Sequence, residues 1–88
     1  MTEPAVHPPE SATVEVFSPR EVDAKKFTFP TKDHVEKAAR EAAEAFGYTG
    51  GHPTFAKNKV VLDRKLTLAE AGVRNGDVLE LVDVGGGV

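Results

Sequence analysis

From Thr13 the chain alternates: Val14 and Val16 are flanked by Thr13, Glu15 and the more exposed Phe17, and a period of two marks a half-buried strand. Ser18-Pro19-Arg20-Glu21 then turns the chain. In the next alternating run Phe27 and Phe29 point one way and Lys26 and Thr28 the other, until Pro30, which has no N–H, stops the ladder. These two runs predict an antiparallel hairpin. The period then lengthens. Val35, Ala38, Ala39, Ala42, Ala43 and Phe46 fall at i, i+3, i+4, i+7, i+8 and i+11, one face of a helix that Thr31 is placed to cap and Gly47 to end. Lys32, Asp33, Glu36, Lys37, Arg40, Glu41 and Glu44 occupy its other face.

After Tyr48-Thr49-Gly50-Gly51-His52-Pro53, two short strands are predicted at Thr54-Phe55-Ala56 and Val60-Val61-Leu62 around a turn at Lys57-Asn58-Lys59. Thr67-Leu68-Ala69-Glu70-Ala71-Gly72 reads as one capped helical turn, and Asn75-Gly76-Asp77 turns into a last strand from Val78 to Val84. The order is ββαββ, a helical turn, then β. The fold class is therefore α+β, a mixed sheet curled around one long amphipathic helix. Val14 and Val16 in the first strand and Leu79 and Leu81 in the last are the strictest alternators, so both strands belong in the middle of the sheet under Val35, Ala39 and Phe46. They would be parallel, with the helix in the crossover.

Residues 1–12 hold Pro4, Pro8 and Pro9 and almost nothing apolar, so they cannot offset the entropy of ordering and are expected to be a disordered arm. The domain is expected to run over residues 13–84, with residues 85–88 as a flexible glycine tail.

Composition narrows the function. With 88 residues the chain is one small domain with a thin core and no room for a deep catalytic cavity. The absence of cysteine excludes disulfides, thiolate metal sites and a cysteine nucleophile, and suits a reducing, cytoplasmic setting. A net charge of −3, from 11 basic and 14 acidic residues interspersed, lacks the clustered basic footprint that nucleic acid requires. No apolar run approaches the length that spans a bilayer, and no signal sequence opens the chain. His7, His34 and His52 have no partners at metal-ligand spacing, Glu41 and Glu44 share a solvated helix face, and Gly50-Gly51 lacks the lysine and hydroxyl residue of a phosphate loop. Neither a metal, a cofactor nor a catalytic residue is expected.

The chemistry left is at the end. Gly85-Gly86-Gly87, and then Val88, come directly after the last strand. Without Cβ atoms such a tail can pass extended through a narrow channel and present its carboxylate to an activating reagent. Phe17 and Tyr48 are the aromatic residues expected to be free for partner contact.

From Thr13 onward the chain resembles the ubiquitin-like β-grasp proteins. The likeness is sharpest in Phe55-Ala56-Lys57-Asn58-Lys59-Val60-Val61-Leu62-Asp63-Arg64-Lys65-Leu66-Thr67-Leu68, and continues in Val73-Arg74-Asn75-Gly76-Asp77-Val78-Leu79. It is similar to bacterial ubiquitin-like modifiers encoded beside activating and conjugating enzymes, and also to the thiamin and molybdopterin sulfur carriers. The resemblance implies that Gly87 or Gly86 becomes the working terminus once a processing peptidase removes Val88. An activating enzyme would then adenylate it with ATP, and a conjugating-type enzyme would pass it to a target protein. It also implies acceptor roles for Lys25, Lys26, Lys32, Lys37, Lys57, Lys59 or Lys65 if chains form. The family's apolar recognition surface maps to Thr54 and Val82, with Phe17 and Lys57 nearby; threonine there removes aliphatic area, so ubiquitin's ordinary partners should bind poorly. Two alternatives stay open: a sulfur carrier ending in a thiocarboxylate, and a noncovalent β-grasp adaptor.

Overall fold

A computed structural model describes residues 10–18, 22–48 and 51–83. Six elements succeed one another: β1 (Ser11–Phe17), β2 (Lys25–Pro30), α1 (Val35–Ala45), β3 (Pro53–Lys57), β4 (Val60–Val61) and β5 (Val78–Asp83). The sheet order is β2-β1-β5-β3-β4. β1 and β5 are parallel, with Val16 opposite Leu79, and all other pairs are antiparallel. The expected central parallel pair is present, with α1 in the crossover between its strands.

Alternation decides which residues enter the core. Val14, Val16, Leu79 and Leu81 turn inward beneath Val35, Ala38, Ala39 and Ala42, and each is 3% exposed or less. Phe29 and Phe55 fill the space at the flanks, with ring centroids 6.0 Å apart. Alanines on the buried face of α1 keep the helix close enough to the sheet for these larger strand side chains to close the core.

β3 runs one residue further at each end than expected and β4 stops one residue short, and two larger differences concern β1 and the helix. β1 starts at Ser11, two residues before Thr13, because Ser11 and Ala12 pair with Pro30 and Phe29 and Ala12 is buried. The helix is short, 11 residues, and begins at Val35 with His34 as its N-cap. Thr31 does not cap it. Thr31 is buried and its main chain is used elsewhere: its N–H donates to Glu10 O at 2.9 Å and its carbonyl accepts from Ala69 N at 3.0 Å. The first helical amides instead meet backbone carbonyls, Val35 N donating to Leu66 O (2.8 Å) and Glu36 N to Arg64 O (3.2 Å). A tertiary segment replaces the side-chain cap.

The helix ends as expected. Gly47 is left-handed at φ +86; its N–H donates to Glu44 O, and Tyr48 N–H donates back to Ala43 O at 2.8 Å. This is the doubly bonded glycine stop. The segment after β4 also obeys its local code: Thr67 Oγ1 accepts from Glu70 N (3.1 Å) while Glu70 Oε1 accepts from Thr67 N (2.9 Å).

Candidate functional site

Three surfaces bear on function: the strand that leads to the glycines, the supports at its two ends, and the outer face of the sheet. Gly85, Gly86, Gly87 and Val88, with the preceding Val84, lie outside the described residues, as do residues 1–9 of the expected arm. The strand that leads to the tail is described to Asp83. β5 lies between β1 and β3 in the sheet order, pairing with β1 over Val78 to Glu80 and with β3 over Glu80 to Asp83.

Polar contacts hold the start of β5. The Lys57 ammonium lies 2.9 Å from Asp77 Oδ2 and donates to Gly72 O at 2.8 Å. The same Asp77 oxygen accepts from Arg74 N at 2.8 Å. The resemblance casts Lys57 as a partner-contact and acceptor lysine. The structure places it as a tie between the end of β3 and the turn before β5, its side chain 28% exposed. No local pattern announces this, because Asp77 is 20 positions away.

At the far end Asp83 stands opposite Pro53. Its Oδ1 accepts from His52 N at 3.1 Å. Gly51, at φ +74, passes so close beneath that an added Cβ would overlap the carboxylate. In the sequence Gly51 is only part of a loop that lacks the features of a phosphate site, and nothing there foretells what it accommodates.

On the outer face, Phe17 of β1 is opposite Glu80 of β5, Glu15 opposite Val78, Thr54 of β3 opposite Val82, and Ala56 opposite both Glu80 and Val61. Phe17 (39% exposed), Val78 (51%) and Val61 (53%) leave apolar area open to solvent. A shallow cleft between Phe17, Ala56, Lys59 and Val78 joins these strands. Phe17 and Val82 are thus on one face. Thr54 is not available to a partner: it is 0% exposed, and its hydroxyl donates to Leu62 O at 2.9 Å. The exposed aliphatic area comes instead from Val78 and Val61, residues that strand alternation alone could have turned outward. Tyr48 is not free either. It stacks on Phe46 with centroids 6.1 Å apart, and its hydroxyl pairs with that of the buried Ser18.

Among the described residues no group of three or more His, Cys, Asp or Glu is placed to hold a metal ion, and no helix is long and apolar enough to cross a membrane.

No protein-family model matches the chain, and no curated protein matches it. Solved structures do match in fold. A de novo design based on ubiquitin is 21% identical, with TM-score 0.73, covering 91% of this chain and 99% of that one. The Caldiarchaeum subterraneum ubiquitin is 13% identical with TM-score 0.72, covering 89% and 99%. A chain in the structure of a SUMO mimic described as promoting DNA repair is 12% identical with TM-score 0.75, covering 86% and 95%. A chain of the toluene 4-monooxygenase HD complex is 16% identical with TM-score 0.74, covering 84% and 99%.

Proposed function

The chain has the ubiquitin-like β-grasp fold, and we propose that it works as a protein modifier, an acyl donor joined to a target through one of its C-terminal glycines. The observation that carries this reading is the course of β5, which pairs with β1 over Val78 to Glu80 and with β3 from Glu80 to Asp83, two residues before Gly85. A carboxylate at neutral pH repels nucleophiles, so it must first be activated. In the proposed sequence of steps a peptidase exposes the carboxylate of Gly87 by cleaving off Val88, or that of Gly86 by cleaving off Gly87 as well. An activating enzyme then forms the glycyl adenylate from ATP with loss of pyrophosphate, and the acyl group passes to a conjugating-type enzyme and on to a nucleophile on the target. Under this reading the domain supplies a grip and the glycines supply reach. Phe17, Val82, Val78 and Val61 offer the grip, and Gly85 to Gly87 the side-chain-free strip.

The test uses the chain ending at Gly87, incubated with ATP and the adenylating enzyme encoded nearest its gene. Intact mass should show a covalent adduct through glycine, and deletion of Gly85 to Gly87 should abolish it. A gain of sulfur for oxygen at the terminus would instead mark a sulfur carrier.

A second reading, a noncovalent β-grasp subunit, is favoured by the likeness to a chain of the toluene 4-monooxygenase HD complex. The same deletion separates the two, since a noncovalent subunit would keep its partner without the glycines.

A further inference from the structure

We propose that Asn75-Gly76 is a site of self-deamidation, which the fold holds in check by pinning both reacting groups to Thr13. The reaction needs no enzyme. The Gly76 amide nitrogen, giving its proton to base, attacks the side-chain carbonyl carbon of Asn75. A C–N bond forms, the bond to the amide nitrogen breaks, and ammonia leaves as the succinimide ring closes. Water then opens one ring carbonyl or the other, leaving aspartate or isoaspartate. One water is consumed and one ammonia released, with no change of oxidation state. Glycine after asparagine offers the least hindered nucleophile, because it brings no Cβ to the attack.

The folded geometry opposes each part of that step. The Gly76 N–H, the nucleophile, donates to Thr13 O at 2.8 Å. The Asn75 carboxamide, the electrophile, is held by Oδ1, which accepts from Thr13 N at 2.9 Å. One residue of β1 therefore occupies both reactants. The surrounding turn is fixed as well, Asp77 N donating to Arg74 O at 3.1 Å and Glu15 N to Asp77 O at 3.0 Å. Both Asn75 and Gly76 are nonetheless exposed, so water and base reach them as soon as β1 lifts away. The rate then tracks the fraction of molecules in which β1 has opened.

The product is not neutral for the fold. Isoaspartate adds a methylene to the main chain between Asn75 and Gly76, which moves the Gly76 N–H away from Thr13 O and leaves the docking of β1 onto the turn incomplete. Aspartate keeps an oxygen for the Thr13 N–H. Isoaspartate at this site would thus leave a lasting weakness where β1 docks on the turn, and raise the fraction of molecules in which β1 opens.

The chain has two asparagines, Asn58 and Asn75, and no glutamine, and the residue after Asn58 is lysine, so Asn58 serves as a slow internal control. The full chain is incubated at mildly alkaline pH, in buffer and in denaturant, and Asn75 is monitored by peptide mass and isoaspartate content. Unfolded chain should deamidate at Asn75 at least ~30-fold faster than folded chain, a ratio that reads the opening equilibrium. Amide exchange at Thr13 and Glu15 should be faster in the isoaspartate form and little changed in Asn75→Asp, which has the charge without the extra methylene. Equal rates in buffer and denaturant overturn the proposal, as does an unfolded chain in which Asn75 reacts no faster than Asn58.

Discussion

The two ends of β5 are held by different means. At its start Asp77 receives the Lys57 ammonium and the Arg74 amide, and the turn before it exchanges hydrogen bonds with Thr13 and Glu15. Several groups share that task, and most are backbone groups no substitution removes. At its end a carboxylate sits over a glycine: Asp83 accepts from the His52 N–H, and Gly51 makes room below it by having no side chain. The start should therefore tolerate single changes and the end should not.

The middle of the strand sets the scale for testing that contrast. Leu79→Ala empties a site that is 1% exposed, and should cost about 2–5 kcal/mol of stability, read as a lowered chemical-denaturation midpoint with little change in slope. Gly51→Ala should come next, at about 1–3 kcal/mol, because a Cβ there meets both positive-φ strain and the Asp83 carboxylate. Combining it with Asp83→Ala should recover part of the loss, and a strictly additive double variant would show that the two residues are not coupled.

At the start of the strand, Lys57→Met should cost only about 1 kcal/mol, a difference that shrinks in high salt, since the pair with Asp77 is partly solvated. A larger loss than for Gly51→Ala would reverse the comparison. The smallest effects, about 0.5–1 kcal/mol each, are expected for Thr67→Ala, which removes half of a reciprocal cap, and Asn75→Ala, which removes one exposed acceptor. Thermal melts of the purified variants would rank them.

Elements whose cause is local were legible in the chain. The alternation of Val14 and Val16, the helical spacing from Val35 to Phe46, the Gly47 stop and the Thr67–Glu70 pair each involve residues within one turn or one strand, where propensity and periodicity act directly. The misreadings involve distant partners. Thr31 has the right chemistry for a cap, but Glu10, just before β1, and Ala69 already use its main chain, and the helix starts only at Val35. Thr54 reads as an outward strand residue, yet the chain after β4 offers its hydroxyl a carbonyl and closes over it.

Hydrophobic period alone determined that this chain makes a sheet with one helix across it, and which side of each strand is apolar. The residue order also determined that a glycine strip comes after the last strand. Which polar groups meet was decided only in three dimensions: Lys57 with Asp77, Gly51 beneath Asp83, and Thr13 with Asn75 and Gly76. The reason is physical. Burial of apolar area is non-directional and can be read from pattern, whereas a hydrogen bond or ion pair depends on distances of tenths of an ångström between residues that only the folded chain brings together.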